Sequence, residues 1–329
     1  MASCDADTGG RAVVTLSLGS RPFVKHTLPF MEAYARRVHA HFHAVDSRDH
    51  EALRSATKMA NAAATRFMKL PLLTHFLGLY ARVLYLDDDT LVGPATPDLF
   101  ARVPCHSLGA TVEQHKPQTW HAMHWRSACE LYGVKPCEPR SWQLFNSGVM
   151  LLSRSAHASM LTRGWREDGS KLQCRILCDQ LYLNALLRRE GGRLEDLGPA
   201  FNFVGSELRR AMVSTAAASE APPAERSALA ARRRNALRDA CVLHLTRKVP
   251  KLYTVDWVAR RALGSAADVL QCGPNASWPP TAEKAAERRR SLLARLPSPM
   301  PPGKYEIGQV LCEGEKSGCA LQPWVNPTG

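Results

Sequence analysis

No run of about 18 consecutive apolar residues occurs in this sequence, so a membrane-spanning helix of ordinary length is not expected. The opening stretch, MASCDADTGG, lacks the charged-then-apolar layout of a signal peptide. As given, the chain reads as cytoplasmic; if it was excised from a longer anchored protein, it reads as a resident of the Golgi or another secretory lumen. Its ten cysteines include no CxxC pair, which argues against a structural zinc site. The spacings of Cys129 with Cys137 and of Cys312 with Cys319 instead suit disulfides in an oxidising lumen. NAS at Asn275 is a short glycosylation sequon. There is no GxxxxGK(S/T), which removes a phosphate-loop NTPase, and no internal repeat.

What is present is a chain of 329 residues, long enough for one large α/β domain or two smaller ones. Hydrophobic residues make up 45% and charged residues 22%, as in soluble globular proteins. Lys and Arg number 43 against 30 Asp and Glu, a net charge of +13 that suits an anionic partner such as a phosphate-bearing substrate. Much of the excess lies in ARRRNALRD (231–239) and ERRRSLLAR (287–295), where helical spacing makes a solvated face the simpler account. No nucleic-acid partner is expected.

The first two hundred residues alternate strand-like and helix-like segments, the pattern of a mainly parallel sheet flanked by helices. Strands are expected at AVVTLSL (12–18), HFHAVDS (41–47), RVLYLDDD (82–89), HSLGATVE (106–113), SGVMLLS (147–153) and ACVLHLT (240–246). Helices are expected over 27–38, with Pro29 in the first turn, over 65–80, with Pro71 near its true start, and over 156–165 and 178–189. The expected organisation is a flexible N-terminus over 1–11, one main domain over 12–270, and a Pro/Gly-rich C-terminal extension over 271–329. An Ala/Glu/Arg-biased insertion occupies 206–240.

Three adjacent carboxylates close the RVLYLDDD strand, and their repulsion needs an explanation. Along an extended chain Asp87 and Asp89 share a side, roughly 6–7 Å apart, while Asp88 points away toward a structural hydrogen bond. Two carboxylates at the C-terminal end of a strand in an open α/β sheet, where such folds bind ligands, suit a hard divalent cation: Mn²⁺, with Mg²⁺ as the alternative. FNSGVMLL (145–152) sets Asn146 and Ser147 before an apolar strand, and Gly148 removes a side chain where a ligand would come close. CDQLYLNALL (178–187) opens a helix with Asp179 and Gln180. LHLTRKVPK (243–251) ends a strand with His244, a natural third ligand, then supplies Arg247, Lys248 and Lys251 for phosphate. The same acidic strand end also fits a haloacid dehalogenase-like phosphatase or a nucleotidyltransferase, and a catalytically silent sugar-nucleotide or glycan-binding module remains a third reading.

From about residue 12 to 257 the sequence resembles a nucleotide-sugar glycosyltransferase of the GT-A fold, most similar to glycosyltransferase family 8, the glycogenin- and galactinol-synthase-like group. The motifs that carry the resemblance are KLPLLTHFLGLYARVLYLDDDTLV, FNSGVMLLS, DQLYLN and HLTRKVPK, in that order. The resemblance implies a UDP-sugar donor, hexose transfer to an unknown glycan, protein or small-molecule acceptor, and retention at the anomeric carbon. It implies that Asp87, Asp89 and His244 hold the metal. It assigns donor binding to Thr15, Leu16 and Ser17 of the first strand, to Lys69, Asp87 and Asp88, to Asn146, Ser147 and Gly148, and to Lys248 and Lys251. Asp179 and Gln180 fall beside the reacting carbon as the catalytic pair. The sequence departs from the family after His244, where Arg247 stands for a Gly and PKLY for Lys-Pro-Trp, and Phe23 is the nearest aromatic to the expected base pocket.

Two other clusters attract attention. His39, His41 and His43 fall on one side of an extended segment, either a transition-metal site or partly exposed packing. HKPQTWHAMHW (115–125) reads as a core helix or as an acceptor-binding surface of stacked indoles. Cys174 and Cys178 read as two buried small residues.

Overall fold

In the computed structural model, residues 9–19, 21, 23–49, 66–113, 118–137, 144–168, 172, 177–204, 239–245, 272, 309–311 and 320–322 are described. The chain divides into two compact units, Met1–Trp278 and Pro279–Gly329. In the second, β10 (Gln309–Leu311) and β11 (Ala320–Gln322) form an antiparallel pair. Among the described residues of the first unit the helices are α1 (Val24–Arg37), α2 (Lys69–Leu79), α3 (Leu99–Arg102), α4 (Gln118–Tyr132), α5 (Arg154–Asp168) and α6 (Cys178–Arg189). Its strands are β1 (Arg11–Leu16), β2 (His41–Val45), β3 (Arg82–Asp87), β4 (Thr90–Val92), β5 (Ser107–Val112), β6 (Phe145–Ser153), β7 (Arg193–Asp196), β8 (Phe203–Val204) and β9 (Val242–His244).

The fold is mixed α/β, with a mainly parallel central sheet flanked by helices, as the alternation of segments foretold. The main sheet runs β2-β1-β3-β6-β5-β7; β6 alone opposes its neighbours and so lies antiparallel to β3 and β5. Period-2 alternation sorts the side chains between two layers. Ala12, Val14, Val83 and Tyr85 enter the core beneath α2, α4, α5 and α6. Val13, Leu84 and Leu86 face the opposite way, against Met31, Tyr34 and Ala35 of α1 and Leu99 and Phe100 of α3. The α2 helix is buried around most of its circumference, the expected state of a helix apolar on all sides.

Several boundaries differ from expectation. α1 begins at Val24, so Pro29 lies inside the helix and not in its first turn. Pro71 is the third residue of α2 and does sit in a first turn, where its missing N–H is tolerated. β1 begins at Arg11, and Ala81 and Arg82 donate backbone hydrogen bonds to the carbonyl of Gly10. Most of the expected insertion over 206–240, the extension from 271 to 308 except Cys272, and the Cys312–Cys319 pair lie outside the described residues.

The strand carrying the aspartates stops at Asp87. Asp88 and Asp89 form a turn into β4, closed by the Thr90 hydroxyl donating to the Asp87 carbonyl at 2.9 Å. β4, β9 and β8 then form a second, three-stranded sheet. Its antiparallel β4–β9 register sets Thr90 opposite His244, and the Leu245 amide donates to the Asp89 carbonyl at 2.8 Å. This small sheet is what delivers residue 244 to the end of β3.

Candidate active site

Asp87, Asp89 and His244 converge so that one ligand atom from each lies within 4.8 Å of the others. His244 Nε2 is 3.1 Å from Asp89 Oδ1 and 3.5 Å from Asp87 Oδ2. Among the described residues this is the only group of three or more His, Cys, Asp or Glu side chains that could hold a metal ion. His39, His41 and His43 form no such group. His39 is in the left-handed region with φ 54°, His41 and His43 stack at 6.4 Å, and His43 Nε2 meets the Tyr80 hydroxyl at 2.8 Å. The packing reading of that segment holds.

Lys69, from the first turn of α2, reaches between two acids. Its Nζ is 2.9 Å from Asp87 Oδ1 and 2.7 Å from Asp179 Oδ2, and it donates to the Ser147 carbonyl and hydroxyl at 3.3 Å each. Burial works against the ammonium charge, but Asp179 and Asp87 outweigh it and hold the Lys69 pKa above its ordinary value. The Tyr85 hydroxyl donates to Asp87 Oδ1 at 2.9 Å, and burial followed by the Asp87 charge keeps that phenol protonated well above its usual range. At His244 burial again opposes charge; the Asp89 and Asp87 carboxylates prevail and raise its pKa.

Charge arithmetic and donor chemistry both fit a divalent cation. Asp87, Asp89 and Asp179 carry three negative charges and Lys69 offsets one, leaving two when His244 is neutral. The ligand atoms are two carboxylate oxygens and an imidazole nitrogen, a set that suits Mn²⁺ or Mg²⁺ with remaining positions open to a ligand. The ring is fixed from behind, because His244 Nδ1 lies 2.9 Å from Asn202 Oδ1 and Nε2 therefore faces the acids.

The other sequence-assigned residues fall around this centre in different ways. Asp88 turns away: Arg21 Nη1 donates to its two oxygens at 2.7 and 2.9 Å, and the Thr27 hydroxyl donates to its carbonyl at 2.7 Å. The Ser147 hydroxyl donates to Asp179 Oδ2 at 2.8 Å. Asn146 and Gln180 both donate to the Glu113 carboxylate, at 3.0 and 3.2 Å. Gly148 also serves the histidine. A Cβ built there would overlap the His244 ring, so the missing side chain makes room for the imidazole. Thr15 is wholly buried with its Oγ1 lacking a hydrogen-bond partner, and Leu16 is buried, so of the first-strand trio Ser17 alone is partly exposed. Phe23 packs with Leu91, Leu243 and Leu245 in a small core. Arg247, Lys248 and Lys251 lie outside the described residues.

Residues the sequence reading did not single out complete the site: Arg21, Tyr85, Glu113 and Asn202. Glu113 closes the strand expected over 106–113 and Tyr85 lies in the DDD strand, so their positions beside polar motifs carried a signal. Arg21 and Asn202 carried none. Asn184 has a structural part, clasping the backbone of Phe145 through Oδ1 and Nδ2 at 3.0 Å each and so fastening α6 to the start of β6.

The Trp–His segment is core. His121, His124 and Trp125 are buried within α4, with Trp120 partly buried beside them, which overturns the acceptor-surface reading. Cys178 is disulfide-bonded, which corrects its reading as a plain buried thiol. Cys129–Cys137 forms the expected disulfide, and Cys241–Cys272 forms another at the start of β9. No helix among the described residues is long and apolar enough to cross a membrane.

No family model matches the chain, and no curated protein does. Solved structures that align with it include glycosyltransferases. One is a glycosyltransferase involved in glycosylation of the major capsid of PBCV-1, 13% identical with TM-score 0.41, covering 75% of this chain and 98% of that one. Mouse xyloside xylosyltransferase 1 in its apo form is 13% identical with TM-score 0.42, covering 73% and 99%. The apo glycosyltransferase GlyE of Streptococcus pneumoniae TIGR4 is 16% identical with TM-score 0.43, covering 80% and 65%.

Proposed function

We propose that this protein is a metal-dependent glycosyltransferase of the GT-A type that takes a hexose from a UDP-sugar and passes it, with retention, to an acceptor. The observation that carries this reading is the convergence of Asp87, Asp89 and His244 on one point beside the Lys69–Asp179 pair. Mn²⁺ or Mg²⁺ held there would neutralise the diphosphate that leaves when the glycosidic bond of the donor breaks. The remaining work belongs to the chain. Lys69 fixes Asp87 on the metal side and Asp179 on the sugar side with one ammonium group. Ser147 and Lys69 together hold Asp179 Oδ2, and Glu113 holds the Gln180 amide, so both polar residues at the start of α6 are oriented before any donor arrives. Asn146, Ser147 and Gly148 lie at the N-terminal end of β6, where β6 passes the end of β3. Ser17 is the partly exposed residue at the end of β1 and the one of its trio available to a nucleotide base. Lys248 and Lys251 remain the assigned phosphate cations. The disulfides favour the secretory-lumen branch of the localisation reading.

A thermal shift measurement with UDP and Mn²⁺ tests the site. UDP and Mn²⁺ together are expected to raise the unfolding temperature by several degrees, and Asp89→Ala to abolish the rise. No stabilisation of the wild type, or equal stabilisation of Asp89→Ala, overturns the proposal.

A further inference from the structure

Behind His244 runs a chain of hydrogen bonds whose direction is fixed at both ends. The Gly148 amide can only donate, and it lies 2.9 Å from Asn146 Oδ1. At the other end Glu113 Oε1 accepts from Asn146 Nδ2 at 3.0 Å. These two contacts leave one orientation for the Asn146 amide. Its Oδ1 then accepts from Asn202 Nδ2 at 2.8 Å, which leaves Asn202 Oδ1 to accept from His244 Nδ1 at 2.9 Å. Every group in the chain is buried: Glu113 6%, Asn146 7%, Asn202 3% and His244 5% exposed. Water therefore offers no easy substitute for a missing partner.

From this geometry we infer that Glu113 is a positioning residue for the metal centre: through Asn146 and Asn202 it fixes His244 with Nδ1 as donor and Nε2 turned toward Asp87 and Asp89. Glu113 touches no ligand atom of the cluster and acts two side chains away. The same carboxylate binds Gln180 through Oε2 at 3.2 Å, so one residue at the end of β5 orients both a metal ligand and a residue of the assigned catalytic pair. His121 holds the backbone at this point, its Nε2 donating to the Glu113 carbonyl at 3.0 Å while Nδ1 accepts from the Leu144 amide at 3.2 Å. The inference rests on the proposed metal site and adds the means by which its imidazole is aimed.

Mn²⁺ affinity, read from the electron paramagnetic resonance signal of free Mn²⁺ at fixed pH, tests it in Glu113→Ala, Glu113→Gln and Asn202→Ala. Glu113→Ala and Asn202→Ala are each expected to weaken binding about 10–100-fold, the usual effect of losing a partner behind a metal-ligating histidine. Their double variant should be no weaker than the worse single one, because both cut the same chain. Glu113→Gln keeps an acceptor for Asn146 and needs only a rotation of the Gln180 amide, so its affinity should stay within about threefold of wild type. This conservative variant separates loss of the chain from damage to the fold. Unchanged affinity in Glu113→Ala or Asn202→Ala, additive losses in the double variant, or a Glu113→Gln as weak as Glu113→Ala overturns the inference. A wild type that binds neither Mn²⁺ nor Mg²⁺ overturns the metal site itself, a distinct result.

Discussion

Gly148 lies against the His244 imidazole, so near that a Cβ built at 148 would come within 2.6 Å of Nδ1. The contact is with a ring held by its own hydrogen bond to Asn202, so it cannot swing aside as a flexible side-chain end would. Gly148→Ala should therefore displace the histidine, weaken Mn²⁺ binding about 10–100-fold, and cost about 1–3 kcal/mol of stability from overpacking. Equilibrium denaturation and Mn²⁺ titration check both parts; wild-type affinity in the variant would contradict this assignment.

The three aspartates should separate on substitution. Asp88 is engaged by Arg21 and by Thr27 through its own backbone, on the far side from the cluster. Asp88→Asn is expected to keep Mn²⁺ affinity within about threefold, while Asp87→Asn and Asp89→Asn lose more than the ~10-fold typical of an outer-shell change. Equal losses at all three positions would show that the turn, not the pairing of Asp87 with Asp89, governs binding.

Much of the sheet was readable because buried strands announce themselves as apolar, β-branched runs: RAVVTL, RVLYLD and FNSGVMLLS each lie in the main sheet. The direction of β6 was not readable, since an apolar run carries no mark of parallel or antiparallel pairing. Nor was the turn at Asp88 and Asp89, although its consequence, two aspartates together and one apart, matches what a continued strand would have produced. β4 and β8 are too short to show a period. Asn202 was invisible for a different reason. Its significance lies in a contact with His244, distant in sequence, that only the β8–β9 pairing creates.

Among the described residues Lys69 is the ammonium group that bridges Asp87 and Asp179. Lys69→Met would leave the buried Asp179 and the half-buried Asp87 carboxylates facing each other, at a cost of roughly 3 kcal/mol, the scale for removing one partner of a buried ion pair. A divalent cation restores part of the lost positive charge. Urea denaturation should therefore show a larger deficit in EDTA than in saturating Mn²⁺, and an equal deficit in both would contradict the shared electrostatic cluster.

His157 supplies a pH test independent of the site. Burial, reinforced by Arg82, lowers its pKa from 6.5 to about 4, and the Ser153 amide donates to its Nδ1 at 3.0 Å. The unfolded chain binds the proton more readily, so stability is full above pH 6.5 and falls as the pH drops toward 4. Between neutral pH and pH 5 the loss from this residue should be about 2 kcal/mol. Comparing denaturation of wild type and His157→Gln across that range measures it; identical pH dependence in the two proteins would contradict the shift.

The most direct measurement of the proposed activity is UDP release from a donor panel of UDP-glucose, UDP-galactose and UDP-N-acetylglucosamine, with Mn²⁺ or with EDTA. At least one donor should release UDP in Mn²⁺, with the signal lost in EDTA and in Asp89→Ala. No release from any of the three in Mn²⁺, or release unaffected by EDTA and by Asp89→Ala, would contradict metal-dependent transfer from a UDP-sugar.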